Sequence, residues 1–468
     1  MMLFDSLGNL FTIIYIILTL LFVGTVVFFE RKNPASTIAW VLVLVFLPFI
    51  GFIAYLFIGS GFRVNRKKKY QIKARADDLY DKLLRPHLSI ADALKFIERH
   101  DNAARLVTYL SNEGESAYTS CNQAEIFLDG NKLFERMIED IKNAQNHIHL
   151  LYFSFNNDRL GRKIAGLLTE KARQGVEVRL IYDSLGTRAL TCPPMLKILR
   201  RAGGQVRGFS PILSNLASRF RINYRNHRKI TVVDGRVGYV GGMNIGDEYL
   251  GHHKKLHPWR DTHLRLIGHS VWFLQERFLM DWGYANESEQ EERLKVEKFF
   301  PPCEAKGKLG VQIVSGGPDT TESPLKSGLL SQIYSARKNV FLQTPYFAPD
   351  DSIMDALRVA AQSEVDVRLM LPSLNDHWLS QMSTLGYAYQ ALRSGVRVFL
   401  YQGFLHSKTA VPASLIAPVF TANINNRIYP LDFDVNAFVY DVDFATYCEN
   451  IFLADQETCL ALTRQCFE

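Results

Sequence analysis

Asn226-His-Arg-Lys-Ile-Thr-Val-Val-Asp234, followed by Gly241-Gly-Met-Asn244, and Leu405-His-Ser-Lys-Thr409, followed by Thr421-Ala-Asn423, are two versions of one pattern. In each, His and Lys stand two apart, the spacing that puts both side chains on one face of an extended strand. The asparagine follows its histidine by the same interval in both copies, from His227 to Asn244 and from His406 to Asn423. With 12 histidines in 468 residues, such a matched pair marks a duplication.

The flanking sequence repeats as well. Leu133 to Ala144 has helical periodicity and precedes the strand-like Ile148–Phe153; Leu160 to Gln174 is helical and precedes Val176–Tyr182. The same order returns with helical Leu330–Lys338 before Val340–Thr344, and helical Ile353–Gln362 before Val365–Leu371. Val176-Glu-Val-Arg-Leu echoes Val365-Asp-Val-Arg-Leu, and Leu199-Arg-Arg-Ala-Gly-Gly204 echoes Leu392-Arg-Ser-Gly395. The alternation predicts an α/β fold with mixed sheets, duplicated as two lobes over residues 125–286 and 309–468. Residues 287–308, rich in Glu and Lys and carrying Pro301-Pro302, read as the linker between them.

The start of the chain is of another kind. From Ser6 to Phe29 and again from Asn33 to Phe62 there is no charge. Each run is long enough for a helix to cross a hydrocarbon layer about 30 Å thick, so residues 1–62 are expected to form a two-helix transmembrane hairpin. A signal peptide would need a basic leader, whereas Asp5 precedes the first run. Arg63, Arg66, Lys67, Lys68 and Lys69 open a basic juxtamembrane and connecting segment, 63–124. The positive-inside rule then puts the main body in the cytoplasm and this cluster beside anionic lipid headgroups.

Composition sets outer limits. The 54 basic and 47 acidic residues leave a net charge of +7, and 47% of residues are hydrophobic, which excludes disordered, collagen-like and disulfide-stapled classes. The modest charge leaves no strong nucleic-acid footprint. Six cysteines, Cys121, Cys192, Cys303, Cys448, Cys459 and Cys466, have no metal-ligand spacing and read as free thiols in a reducing compartment.

Paired histidines suit phosphodiester transfer through a covalent intermediate: a neutral imidazole attacks phosphorus and a second group supplies a proton. Lys229, Lys408, Asn244 and Asn423 can donate to the nonbridging oxygens as charge develops, so the chemistry requires neither metal nor cofactor. Each histidine needs an acceptor to fix its tautomer, and acidic residues recur downstream at Asp261 and Asp434.

These residues resemble the HKD motifs of the phospholipase D superfamily, and together with the hairpin the chain resembles the bacterial cardiolipin synthases. The resemblance extends to Asn33-Pro-Ala-Ser-Thr-Ile-Ala-Trp40, Trp259-Arg-Asp-Thr-His263 and Thr344-Pro-Tyr-Phe347. It implies two lobes whose motifs meet in one active site, with His227, Lys229, Asp234, His406 and Lys408 catalytic and Asp261 and Asp434 orienting the histidines. It further implies a multi-pass protein of the bacterial cell membrane that moves a phosphatidyl group between two phosphatidylglycerol molecules and releases glycerol. Hydrolysis of a phosphodiester is the alternative reaction. An impaired homologue that only binds anionic lipid is the alternative of another class.

That last alternative is motivated by the second motif. Counting from His406, Ala413 stands where Asp is expected and Phe420 where the first motif has Gly241. Pro412 and Pro418 fall in a segment that should be a buried strand, where each removes a ladder donor, so a disturbed local fold is expected. The chain also ends at Arg464-Gln-Cys-Phe-Glu468, short of the basic and apolar ending that the resemblance leads one to expect. Because lobe one carries the complete motif, His227 is expected to be the nucleophile and His406 the general acid.

Overall fold

The computed structural model describes residues 2–29, 34–55, 95, 101–113, 116–189, 191–209, 224–253, 255–285, 296–303, 307–320, 323–412, 416–425, 431–463 and 465. The basic cluster Arg63 to Lys69, part of the linker, Ala413 and Cys466 lie outside them.

The charge-free runs fold as α1 (Met2–Phe29), α2 (Pro34–Phe46) and α3 (Pro48–Ala54). Pro48, which has no N–H to donate, begins α3 and breaks the second run after Leu47. Phe22 stacks on Phe52 and Trp40 meets Tyr55 edge-on, with Val26 and Leu44 buried between the helices. The outer surface stays apolar: Leu20, Leu21, Phe46 and Ile50 are all more than 60% exposed. Among the described residues no helix is long and apolar enough to cross a membrane. The helices therefore do not by themselves establish the two expected spans.

Lobe one contains β1 (Thr119–Phe127), α5 (Gly130–Asn143), β2 (His147–Tyr152), α6 (Arg159–Arg173), β3 (Glu177–Asp183), α7 (Pro194–Arg201), β4 (Gln205–Phe209), β5 (Arg225–Asn226), β6 (Ile230–Val233), β7 (Val237–Gly241), β8 (Trp259–Arg260), β9 (His263–Ile267) and α8 (Ser270–Ala285). Lobe two contains β10 (Leu309–Gly316), α9 (Pro324–Ser335), β11 (Asn339–Gln343), α10 (Asp351–Gln362), β12 (Asp366–Pro372), α11 (Trp378–Arg393), β13 (Arg397–Tyr401), β14 (Phe404–Leu405), β15 (Thr409–Pro412), β16 (Ile416–Phe420), β17 (Asp432–Tyr440), α12 (Val442–Glu457) and β18 (Cys459–Leu462). The sheet order is β1-β9-β7-β6-β2-β3-β4 in the first and β10-β17-β16-β15-β11-β12-β13-β18 in the second. Strand for strand this is the same topology, with one strand added at the far edge of lobe two, and it bears out the duplication.

The two sheets join where β1 pairs antiparallel with β10. Helices α8 and α12, which follow equivalent strands, share one core: Trp272, Phe278 and Trp282 from the first and Phe444 and Phe452 from the second belong to a single buried cluster. The segment read as a connection contributes more than expected. Its helix α4 (Asp101–Glu113) packs Leu106, Val107 and Leu110 against Val314, Leu325 and Leu329 of lobe two, and β1 begins within it at Thr119.

The expectation of a disturbed fold around the two prolines is corrected. Pro412 pairs with Val340 inside β15, and β16 keeps five consecutive pairs with β17, including Pro418 with Phe438. Phe420 N–H donates to Lys408 O on the β15 side while Thr421 N–H donates to Val435 O on the β17 side. By strand alternation the nitrogen of Pro418 faces β15, so its missing donor costs the β17 ladder nothing.

Candidate active site

The histidine and lysine of each motif do not sit within a strand. Residues 227–229 and 406–408 are the extended links between β5 and β6 and between β14 and β15. Two short parallel pairings between the lobes fix these links. Arg225 and Asn226 pair with Asp432 and Phe433, and His227 N–H then donates to Phe433 O at 2.9 Å. Phe404 and Leu405 pair with Trp259 and Arg260, and His406 N–H donates to Arg260 O at 2.7 Å. Each histidine is thus registered against a segment of the opposite lobe that carries an aspartate, Asp434 within β17 and Asp261 just after β8.

The result is two crossed dyads. His227 Nδ1 lies 3.1 Å from Asp434 Oδ1, and His406 Nδ1 lies 2.6 Å from Asp261 Oδ2. With Nδ1 engaged by a carboxylate, each ring presents Nε2 to the site. Both rings line one cavity of about 840 Å³, together with Asn244, Tyr249, Trp259 and Tyr346. Phe153 packs edge-on against His227, and Phe404 stacks on His406, which holds the rings in place.

The aspartates are supported differently in the two halves. A Cβ on Gly242 would come within 2.0 Å of Asp261 Oδ1, so glycine makes room for that carboxylate. The matching position two residues before the second asparagine is Thr421, whose hydroxyl donates to Asp434 Oδ1 at 2.7 Å. Both residues stand in the quoted motifs, and their equal offset from the asparagine was the available signal. The crossing of the dyads left none, because nothing in a linear pattern says which lobe an aspartate will face.

Lys229 and Lys408 are buried beside the rings and each donates to the carbonyl of the histidine two residues before it; Lys408 Nζ also lies 3.1 Å from His406 Nδ1. Burial, and then the charge of Lys408, push Lys229 down to about 7, while burial pushes Lys408 down to about 8 against the pull of Asp261. The same two causes act on the rings. Burial and Lys229 bring His227 to about 4, and burial and Lys408 lower His406, with Asp434 and Asp261 opposing. Burial would raise both aspartates, but the histidines and lysines beside them outweigh it and hold both below the ordinary carboxylate range. Of these side chains, His227, His406 and Asn244 line the cavity, and Lys229, Lys408 and Asn423 are buried.

Asn244 is anchored by Ser154 N–H to its Oδ1 and donates from Nδ2 to the Tyr249 hydroxyl at 2.6 Å. Asn423 is equally buried, and its Oδ1 has no partner among the described residues. Asp234 is not with this group. Its carboxylate accepts the backbone N–H groups of Gln145, Asn146 and His147 at 2.8, 2.7 and 2.9 Å, which ties the turn before β2 to the far end of β6. In lobe one the motif aspartate braces the sheet and touches neither the histidine nor the lysine.

The sequence profile of the family "Cardiolipin synthase, PLD-like domain" matches residues 137–255 and 329–456, one match in each lobe. The chain is 40% identical over 450 residues, 95% of its length and 92% of the relative's, to a cardiolipin synthase of Listeria monocytogenes serotype 4a. It belongs to the cardiolipin synthase family. A second member, the major cardiolipin synthase ClsA of Bacillus subtilis strain 168, is also 40% identical over 96% of this chain and 93% of that one. Residues 11–60 match a second profile, "Phospholipase D-nuclease N-terminal". The fold extends beyond the family: the crystal structure of phosphatidylserine synthase from Haemophilus influenzae Rd KW20 superimposes with a TM-score of 0.58 at 14% identity, covering 76% of this chain and 92% of that one.

Proposed function

We propose that this cardiolipin synthase family member transfers a phosphatidyl group from one phosphatidylglycerol to another through a phosphohistidine on His227. In the first half, Nε2 of His227 attacks phosphorus, the bond from phosphorus to the glycerol oxygen breaks, and His406 gives its Nε2 proton to that oxygen. In the second half, His406 takes the proton from a hydroxyl of the second phosphatidylglycerol, the new P–O bond forms, and the P–N bond breaks to free His227. Lys229, Lys408, Asn244 and Asn423 carry the charge on the nonbridging oxygens in both halves. Asp434 and Asp261 hold the tautomers and favour each imidazolium as it forms.

The observation that carries this reading is the pair of crossed dyads opening on one cavity, because two histidines with equivalent carboxylate partners can exchange acid and base roles between half-reactions. The same observation argues against an impaired homologue: the altered second motif retains His406, Lys408 and a carboxylate partner. The role of Asp234 in bracing the sheet implies that an alanine at 413 changes scaffold support rather than the reacting groups. Membrane attachment through the N-terminal helices, with the lobes on the cytoplasmic side, completes the proposal and draws on the charge-free runs and the basic cluster that follows them.

Incubation of the membrane fraction with labelled phosphatidylglycerol tests the reaction. Cardiolipin and glycerol in equal amounts are expected, whereas phosphatidic acid alone would mean that water is the acceptor and the chain is a hydrolase. Cysteine labelling on intact cells tests orientation, and lobes that react from outside would reverse it.

A further inference from the structure

The catalytic cavity is too small for a whole phospholipid. At about 840 Å³ it matches a drug-sized ligand, a headgroup rather than a headgroup with two acyl chains. Asn156, Asp158, Glu248 and Asp376 contribute to its wall, and none of these is a surface for hydrocarbon. A lipid substrate must leave its chains in the bilayer, so the rim of the mouth has to meet the bilayer surface.

One part of the rim has the required character. Asp376 and His377 line the cavity, and α11 starts at the next residue. Leu374, Trp378, Leu379 and Met382 are 41%, 73%, 64% and 63% exposed. Outside α1 to α3 this is the densest group of exposed large apolar side chains among the described residues. From Trp378 to Leu392 the helix carries no charge, and Trp378 and Met382, one turn apart, share a face. Leu185, which lines the cavity from lobe one, is a further 47% exposed. Scattered surface apolar residues need no explanation, but a contiguous group headed by tryptophan at the entrance of a lipid site does.

We propose that the Trp378 end of α11 is a membrane-docking edge that seats the cavity mouth on the phospholipid bilayer. The occupant is the interfacial zone of the bilayer, where an uncharged apolar helix end lies just below the headgroups while the catalytic cavity remains among them. This inference rests on the lipid-transfer reading and adds a second contact to the one expected from the N-terminal helices. That contact fixes the orientation of the lobes as well as their proximity.

Two measurements on the full-length chain in phosphatidylglycerol vesicles test it. In the first, emission of the unmodified protein and of W378F is compared in vesicles whose lipids are brominated high on the acyl chains. Trp40 of the N-terminal helices contributes the same quenching to both proteins, so the emission that disappears with W378F is expected to be quenched in the unmodified protein in addition to that shared part; unquenched Trp378 emission would overturn the proposal. In the second, W378S/L379S/M382S is expected to turn over long-chain phosphatidylglycerol in vesicles about tenfold more slowly, with turnover of a short-chain soluble phosphatidylglycerol changed less than about twofold. Equal loss on both substrates by a variant with an unchanged melting transition would overturn it. So would a shift from dimer to monomer in the variant without bromine quenching in the parent, which would assign the patch to a second copy of the chain. Should the triple variant fail to fold, the quenching result decides alone. Failure of the unmodified chain to make cardiolipin from either substrate would instead remove the functional reading and leave the quenching result standing.

Discussion

Replacing Asp261 by Asn changes one charge at a defined place. The asparagine keeps the size of the side chain and an oxygen for the Thr262 N–H, which Asp261 Oδ1 accepts at 2.7 Å, but it removes the carboxylate 2.6 Å from Nδ1 of His406. Burial and Lys408 already lower the affinity of His406 for its proton, and Asp261 is the principal group opposing them. Loss of that charge therefore lowers it further, and less imidazolium is present at neutral pH. A hydrogen bond to a charged group is worth about 1.5–3 kcal/mol, and about 1.4 kcal/mol is a factor of ten in rate. Transfer from phosphatidylglycerol, whose glycerol leaves poorly without a proton, should fall about 10- to 100-fold. Transfer from a p-nitrophenyl phosphodiester, whose leaving group departs unprotonated, should fall by no more than about threefold. The assay is the ratio of the two rates in D261N and in the parent. Equal losses on both substrates would refute the reasoning, because Asp261 would then be serving the nucleophile or the fold.

The remaining predictions concern neighbouring parts of the site. Gly242→Ala puts a methyl group against Asp261 Oδ1 and should lower cardiolipin formation about 100-fold, whereas Thr421→Ala, which removes one hydroxyl donor from Asp434, should cost about tenfold; rates of the two purified variants, compared side by side, check the order. Asp234→Ala leaves three backbone N–H groups without their acceptor and should destabilise the fold by about 1–3 kcal/mol, read by denaturant melting, while the folded fraction keeps its activity. Sulfate, which does not titrate near neutrality, should bind more weakly as pH rises through about 7 to 8, because Lys229 and Lys408 lose their charges there; calorimetric affinities that stay constant to pH 9.5 would contradict those positions.

Much of this architecture was legible beforehand because its signals are local. The periodicity over 133–182 and 330–371 follows from which faces of helices and strands are buried, and the topology repeats as the echoed segments predict. The structure places His227 beside Asp434 and His406 beside Asp261. Their crossed pairing was not legible, since it depends on β5 meeting β17 and β8 meeting β14 across the lobes. Asp234 shows the opposite failure: it follows His227 by seven residues with β6 between them, and that nearness in sequence made a brace of the sheet look like a member of the site. The prolines misled in the same local way, because strand propensity does not reveal which neighbour a missing N–H would have faced.

The central claim is a covalent intermediate on His227. Rapid quenching of the unmodified chain with labelled phosphatidylglycerol, followed by alkaline digestion and peptide mapping, tests it most directly. The account predicts a phosphatidyl group on the peptide containing His227, formed and consumed at rates that match turnover, and absent in His227→Asn. A label on His406 in place of His227 would reverse the two roles, and turnover with no label on either histidine would contradict the mechanism.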